Sequence, residues 1–188
     1  FSSIISGVYP ATEGTLELKG NSYKPVNTMD AQKHGISMIA QEMGTLPGIG
    51  VADNIFLGKE ELFTKLGIVS RRKMYQAARE AMERLGITDI NPADPISKYS
   101  FEQRKLIEVV RALYTEPDIF IVDETTTALS QTGRDIIYRL IKEFKEKDRA
   151  VLFISHDLEE LMSVCSKLII LRDGDFIAEL EKEEFEEE

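Results

Sequence analysis

With one cysteine, Cys165, the chain cannot close an intrachain disulfide. That suits a reducing compartment, and the apolar stretch around Cys165 predicts a buried structural thiol. No apolar run approaches the ~20 residues that a membrane-crossing helix needs, and the first residues show no signal-peptide pattern. Positive charge is scarce: 23 Lys and Arg face 33 Asp and Glu, a net charge of −10. A nucleic-acid role therefore draws no support from bulk electrostatics. Six of the acids fall in the last eight residues, EKEEFEEE, which are expected to be solvated or frayed. Internal repeats and low-complexity linkers are also missing. So is any match to GxxxxGK[ST], the glycine-rich loop that cradles phosphates. The nearest candidate, Gly58-Lys59, has no glycine five residues upstream and no Ser or Thr after it.

What is present suffices for one domain with an inserted lobe: 188 residues, 43% of them hydrophobic, can bury a real core. FSSIISG reads as the end of a helix stopped by Gly7. TLELKG alternates as a short strand before a turn at Gly20-Asn21. MDAQKHG is a short helix closed by Gly35, with His34 at its end. ISMIAQ, residues 36–41, is a buried strand, and GTLPGIG is a loop. SRRKMYQAAREAMERLG places Met74, Ala77, Ala78, Ala81, Met82 and Leu85 on one helix face, with the basic run Arg71-Arg72-Lys73 on a solvated one. A proline-containing loop, Asn91 to Pro95, follows. Ser100 then opens a helix through Leu113. The aromatics Tyr9, Tyr23 and Phe56 read as scattered. DIFIVD and AVLFIS are continuous apolar strands, separated by a helix whose face is Ile136, Ile137, Leu140, Ile141 and Phe144. Asp157 to Val164 is helical, and KLIILRDGDFIAEL is a hairpin around Asp173-Gly174. Continuous apolar strands alternating with helices imply a parallel sheet covered on both faces. Residues 65–115 read as a mostly helical lobe.

Ligands of open parallel sheets sit beyond the carboxyl ends of the strands. Three strands end there in polar residues: Gln41, Asp123-Glu124 and His156. A hard divalent cation suits Asp123, directly or through water. Glu124 could orient or deprotonate a water, His156 could touch a phosphate oxygen, and Gln41 could reach the metal or the water. Taken singly, an Asp-Glu pair after a strand is more often a helix cap or loop acid, and a lone histidine is more often structural. The weight lies in the ordered set. Ser100 and Gln103 form a Ser-x-x-Gln capping box, which explains them structurally. The same helix start is also a ready anion site.

Taken in order, these segments resemble the nucleotide-binding domain of ABC (ATP-binding cassette) proteins. Gln41 resembles the Q-loop glutamine, YSFEQ (residues 99–103) the LSGGQ signature, and IFIVDE (residues 119–124) the Walker B strand with its glutamate. TALS (residues 127–130) resembles the D-loop, and His156 in FISHDLEE the switch histidine. Within the family, SGVYPATEGTLELKG, ISMIAQEMGTLPGIGVADNIFLGKE and VCSKLIILRDGDFIAE are similar to the first cassette of the double-cassette ATPases of bacterial sugar importers of the ribose, galactose and xylose type. There are departures. Phe101 and Glu102 stand where the signature has two glycines, which weakens a close approach of backbone to phosphate. Thr125 replaces the proline usual after Asp-Glu, and Ser130 replaces the D-loop aspartate.

The resemblance implies an α/β fold of the P-loop NTPase (RecA-like) class, with a parallel sheet flanked by helices and a helical lobe at residues 65–115 inserted between core segments 1–64 and 116–188. It places Phe1 just after the Walker A loop, so that the loop and the strands before it are expected to precede this chain in a longer protein. It implies ATP and Mg²⁺ as cofactors. Glu124 and His156 are then the catalytic residues, Asp123 and Gln41 the metal-binding pair, and Gln41, Ser100, Gln103 and Asp123 the nucleotide contacts. The implied partners are a second cassette, paired head to tail, and a membrane permease, with neither nucleic acid nor membrane insertion. The implied location is cytoplasmic, on the inner face of the membrane. Two other readings stay open: a soluble ABC ATPase outside transport, and a degenerate cassette acting as a binding module. The 188 residues alone are expected to bind ATP weakly or not at all and to show no turnover, because the P-loop makes most of the phosphate contacts.

Overall fold

The computed structural model describes residues 1–185, so Glu186 to Glu188 of the acidic tail lie outside the described residues. Helix α1 (Ser2–Ile5) is short. Gly7 closes it at φ +74°, and a Cβ there would lie 2.5 Å from the Asn27 carbonyl oxygen, so this turn takes only glycine. Strands β1 (Glu17–Leu18) and β2 (Asn21–Ser22) make a small hairpin. Its turn is Lys19-Gly20, both at positive φ, one residue earlier than the sequence suggested. Helix α2 (Thr28–Lys33) is capped by Asn27, whose Oδ1 accepts the Asp30 N–H at 2.9 Å. At its far end His34 Nδ1 lies 2.8 Å from the Asp30 carbonyl oxygen. Strand β3 (Ile36–Ile39) stops two residues short of Gln41, and α3 (Val51–Ile55) follows the glycine-rich loop.

A second small hairpin, β4 (Thr64–Lys65) with β5 (Ile68–Val69), starts the segment read as helical. Then come α4 (Arg71–Arg84) and α5 (Phe101–Leu113). The remaining elements are β6 (Ile119–Asp123), α6 (Gln131–Glu146), β7 (Ala150–Ile154), α7 (Leu158–Val164), and the antiparallel ribbon β8 (Lys167–Arg172) with β9 (Asp175–Glu181).

The central sheet is parallel, in the order β3-β6-β7, with Ile36 opposite Ile119 and Asp123 opposite Ile154. As the middle strand, β6 is the most deeply covered: Phe120, Ile121 and Val122 are each 0% exposed. Strand β7 has a partner on one side only, and just one of its five residues, Phe153, is buried. Two-residue alternation divides the core between the two faces. Phe120 and Val122 join α3, α4, α5 and α6 in the larger cluster, while Ile121 and Ile36 join Tyr23 and Ala31 in a smaller one.

Two sequence readings need correcting. Phe56 is not a scattered aromatic: it is wholly buried and edge-on to Phe63 and Tyr114, with ring centroids 4.5 and 4.7 Å away. Cys165 is only half-buried, because its short loop after α7 lies at the rim of the core. Burial first, and the Glu160 charge second, still push its thiol pKa up.

Candidate functional site

The chain leaves the buried strand β6 at Asp123 and turns at once. Glu124 takes a left-handed backbone, φ +45° and ψ +24°, which an L-residue adopts at a cost of about 1–2 kcal/mol. The turn is held from both sides. The Glu124 N–H donates to the Ile154 carbonyl at the end of β7 (2.9 Å), and Thr127 Oγ1 donates to the Glu124 carbonyl (2.8 Å). Thr125 Oγ1 donates to the Asp123 carbonyl at 3.2 Å. Thr125 thus offers a turn-closing hydroxyl.

This turn brings the three strand ends together. Gln41 Nε2 donates to Glu124 Oε2 at 2.8 Å, and His156 Nδ1 lies 3.7 Å from Glu124 Oε1. The Glu124 side chain is 29% exposed and His156 70%, so the cluster opens to solvent. Asp123 accepts a 2.8 Å hydrogen bond from Ser2 Oγ on its Oδ2. Among the described residues no group of three or more His, Cys, Asp or Glu side chains could cage a metal. A single carboxylate such as Asp123 could serve a Mg²⁺ that takes most of its ligands from phosphate and water.

The structure places Ser100 and Gln103 at the start of α5, apart from this hydrogen-bonded group. Ser100 Oγ accepts the Gln103 N–H at 3.2 Å, and Gln103 Oε1 accepts the Ser100 N–H at 3.1 Å: the capping box is complete. Gln103 Nε2 donates on to Asp89 at 2.6 Å. The two residues between Ser100 and Gln103, Phe101 and Glu102, diverge. Phe101 is 54% exposed. Glu102 Oε1 accepts both the N–H and the hydroxyl of Ser130, the residue that caps α6. Gly133 packs close to this contact: a Cβ there would lie 2.9 Å from the same Glu102 oxygen, and that side chain would have to shift.

Some residues around the cluster gave no sequence signal. Glu160 is 8% exposed and accepts from Thr126 Oγ1 (3.0 Å), Ser155 Oγ (2.8 Å) and Tyr138 Oη (2.7 Å). It thereby joins the turn after Glu124 to the residue before His156. Burial, reinforced by the bond to Glu160, pushes the Tyr138 phenol up to about 12. Lys105 is buried beneath the Gln41 loop. The only clue to Lys105 and Glu108 was charge on an otherwise apolar helix face.

The sequence profile described as "ABC transporter" matches residues 1–127. The chain belongs to the ABC transporter family. Within that family it is 36% identical over 175 residues to the ribose import ATP-binding protein RbsA of Shouchella clausii (strain KSM-K16), covering 93% of this chain and 35% of that protein. It is 35% identical over 178 residues to the protein of the same name from Rhodopirellula baltica (strain DSM 10527 / NCIMB 13988 / SH1), covering 95% of this chain and 34% of that one. The chain thus spans about a third of the length of the curated relatives it matches. Among solved structures its fold is similar to a dimeric, post-hydrolysis state of the ATP-binding cassette MJ0796 bound to ADP and Pi, with a TM-score of 0.79 at 22% identity, covering 96% of this chain and 78% of that one. A nucleotide-free ATP-binding cassette from an ABC transporter gives a TM-score of 0.78 at 21% identity, covering 96% and 74% of the two chains. The α/β architecture expected for the ABC family, a parallel sheet flanked by helices, is therefore the one observed. No helix among the described residues is long and apolar enough to cross a membrane.

Proposed function

We propose that this chain forms part of the ATP-hydrolysing subunit that powers sugar import, with a pentose such as ribose as the cargo class. The observation that carries this reading is the convergence of Gln41, which hydrogen-bonds Glu124, and of His156, 3.7 Å from the same carboxylate, at the carboxyl ends of three neighbouring parallel strands, with Asp123 next to Glu124 in the chain. The likeness to ribose import ATP-binding proteins supports the choice of cargo.

In this reading Asp123 and the Gln41 amide oxygen would hold Mg²⁺, which when bound would supply charge neutralisation on the phosphates. Glu124 accepts a hydrogen bond from the attacking water and orients it, while its partner Gln41 restrains the carboxylate. His156, being exposed, can swing to donate a hydrogen bond to a terminal phosphate oxygen. The α5 start, Ser100 with Gln103, faces nucleotide carried by a second cassette, and a membrane permease docks against the helical lobe. A GxxxxGK[ST] loop is not among the 188 residues, so these groups complete a phosphate site rather than form one alone.

The test is Mg²⁺-dependent ATP turnover by a protein carrying this chain together with such a loop. Glu124→Gln, which keeps the shape and removes the charge, lowers turnover about 100-fold or more with ATP binding retained. Unchanged turnover overturns the assignment of Glu124. The Glu102–Ser130 contact favours a second reading, in which this signature end serves as a packing joint and the cassette binds without hydrolysing. Wild-type turnover at the background rate decides for it.

A further inference from the structure

The side chain of Lys105 is 0% exposed, in the middle of a helix whose neighbouring inward positions are Ile107, Val109 and Val110. Removing an ammonium group from water costs several kcal/mol unless every proton finds a partner. Here all three protons do. Nζ donates to the Ala40 carbonyl (2.7 Å), the Glu42 carbonyl (2.7 Å) and Glu108 Oε2 (3.0 Å). The other Glu108 oxygen accepts the Gly44 N–H, and Arg111 donates to the Gly44 carbonyl at 3.0 Å. Lys105, Glu108 and Arg111 lie three residues apart along one face of α5. Together they hold residues 40–44, where the chain has left β3 and lost its ladder partners.

Gln41 sits between the two carbonyls that Lys105 grips. Its own side chain points to Glu124. An apolar residue at position 105 would pack α5 against the sheet without the cost of burying a charge. The ion is needed only for what lies above it. We propose that Lys105 is a positioning residue: by bracketing Gln41 it sets the amide against Glu124 and ties α5, whose cap is Ser100, to the strand-end cluster. The importance of that tie for turnover rests on the nucleotide-site reading; the tie itself does not.

The experiment uses the nucleotide-free 188-residue chain, reading the ¹⁵N–¹H resonances of the Gln41 side-chain amide and hydrogen exchange of residues 40–44. Lys105→Met alone leaves Glu108 as a buried carboxylate without its ammonium partner, so the variant to read is the double Lys105→Met/Glu108→Met, which removes both charges. In it, exchange of residues 40–44 is expected to rise about tenfold or more while α5 amides stay protected, and the Gln41 amide resonances move to those of a free glutamine. The control Val109→Ala lowers stability by opening a cavity in the same helix and leaves those resonances in place. A folded double variant with an unchanged Gln41 amide and unchanged loop protection overturns the proposal. The readout involves no nucleotide, so a failure of Glu124→Gln to affect turnover would leave this result standing, and the reverse also holds.

Discussion

At Glu124 the backbone turns through φ +45°, so the residue proposed to orient water stands where glycine would be more comfortable. Glu124→Gly is therefore expected to raise the unfolding free energy, by about 1 kcal/mol, while removing the partner of Gln41 and His156. Urea unfolding checks it: a lower midpoint would mean that the side-chain bonds outweigh the backbone strain. Tyr138 supplies a pH-dependent term. Its folded-state pKa is raised from 10.0 to about 12, so the folded chain binds the phenolic proton more tightly than the unfolded one. The associated stability is complete below pH 10.0 and is lost as pH rises towards about 12. Tyr23 and Tyr99 shift in the same direction, so Tyr138→Phe flattens part of the alkaline decline rather than all of it. Thermal midpoints measured across that range for both chains report the difference.

Helix α5 shows how one element can meet several demands. Its first turn carries a reciprocal capping box, its second residue bonds to the cap of α6, and its middle grips the Gln41 loop. Ser100→Ala removes one half of the box and should cost about 1 kcal/mol, read as a lower denaturant midpoint at constant slope. Hydrogen exchange should rise in the first turn only. The capping box and the span of α5 were legible in YSFEQRKLIEVVRAL, because capping is a local interaction between residues three apart. The Glu102–Ser130 contact was not, because its partners are 28 residues apart and neither belongs to a periodic pattern.

At the scale of the whole molecule the weak points are strand edges. Strand β7 ends the central sheet, and the β8–β9 ribbon leaves Ile169, Ile170, Leu171, Phe176 and Ile177 exposed. Apolar side chains on a ribbon pair of this kind favour association through uncovered surface. The 188-residue chain is expected to self-associate, with a sedimentation coefficient that rises with concentration. Phe176→Lys with Ile169→Lys should suppress that rise, since both residues lie at the exposed ribbon and neither belongs to the candidate site. A concentration-independent monomer in the unmodified chain would count against it.

The sequence by itself determined the order of the longer helices and strands, the parallel sheet and the three polar strand ends. Apolar continuity, helix spacing and turn glycines act over a few residues, so they can be read locally. The turn at Lys19-Gly20, the β4–β5 hairpin and the burial of Phe56 were missed because two-residue strands carry almost no period and an isolated aromatic carries none. Tertiary structure alone decided that Gln41 bonds Glu124, that Ser2 reaches Asp123 across 121 residues, and that Lys105 and Glu160 face inward as fully bonded charges. The physical reason is desolvation. A buried charge is tolerated only where distant backbone and side-chain groups converge on it, and no local pattern encodes that convergence.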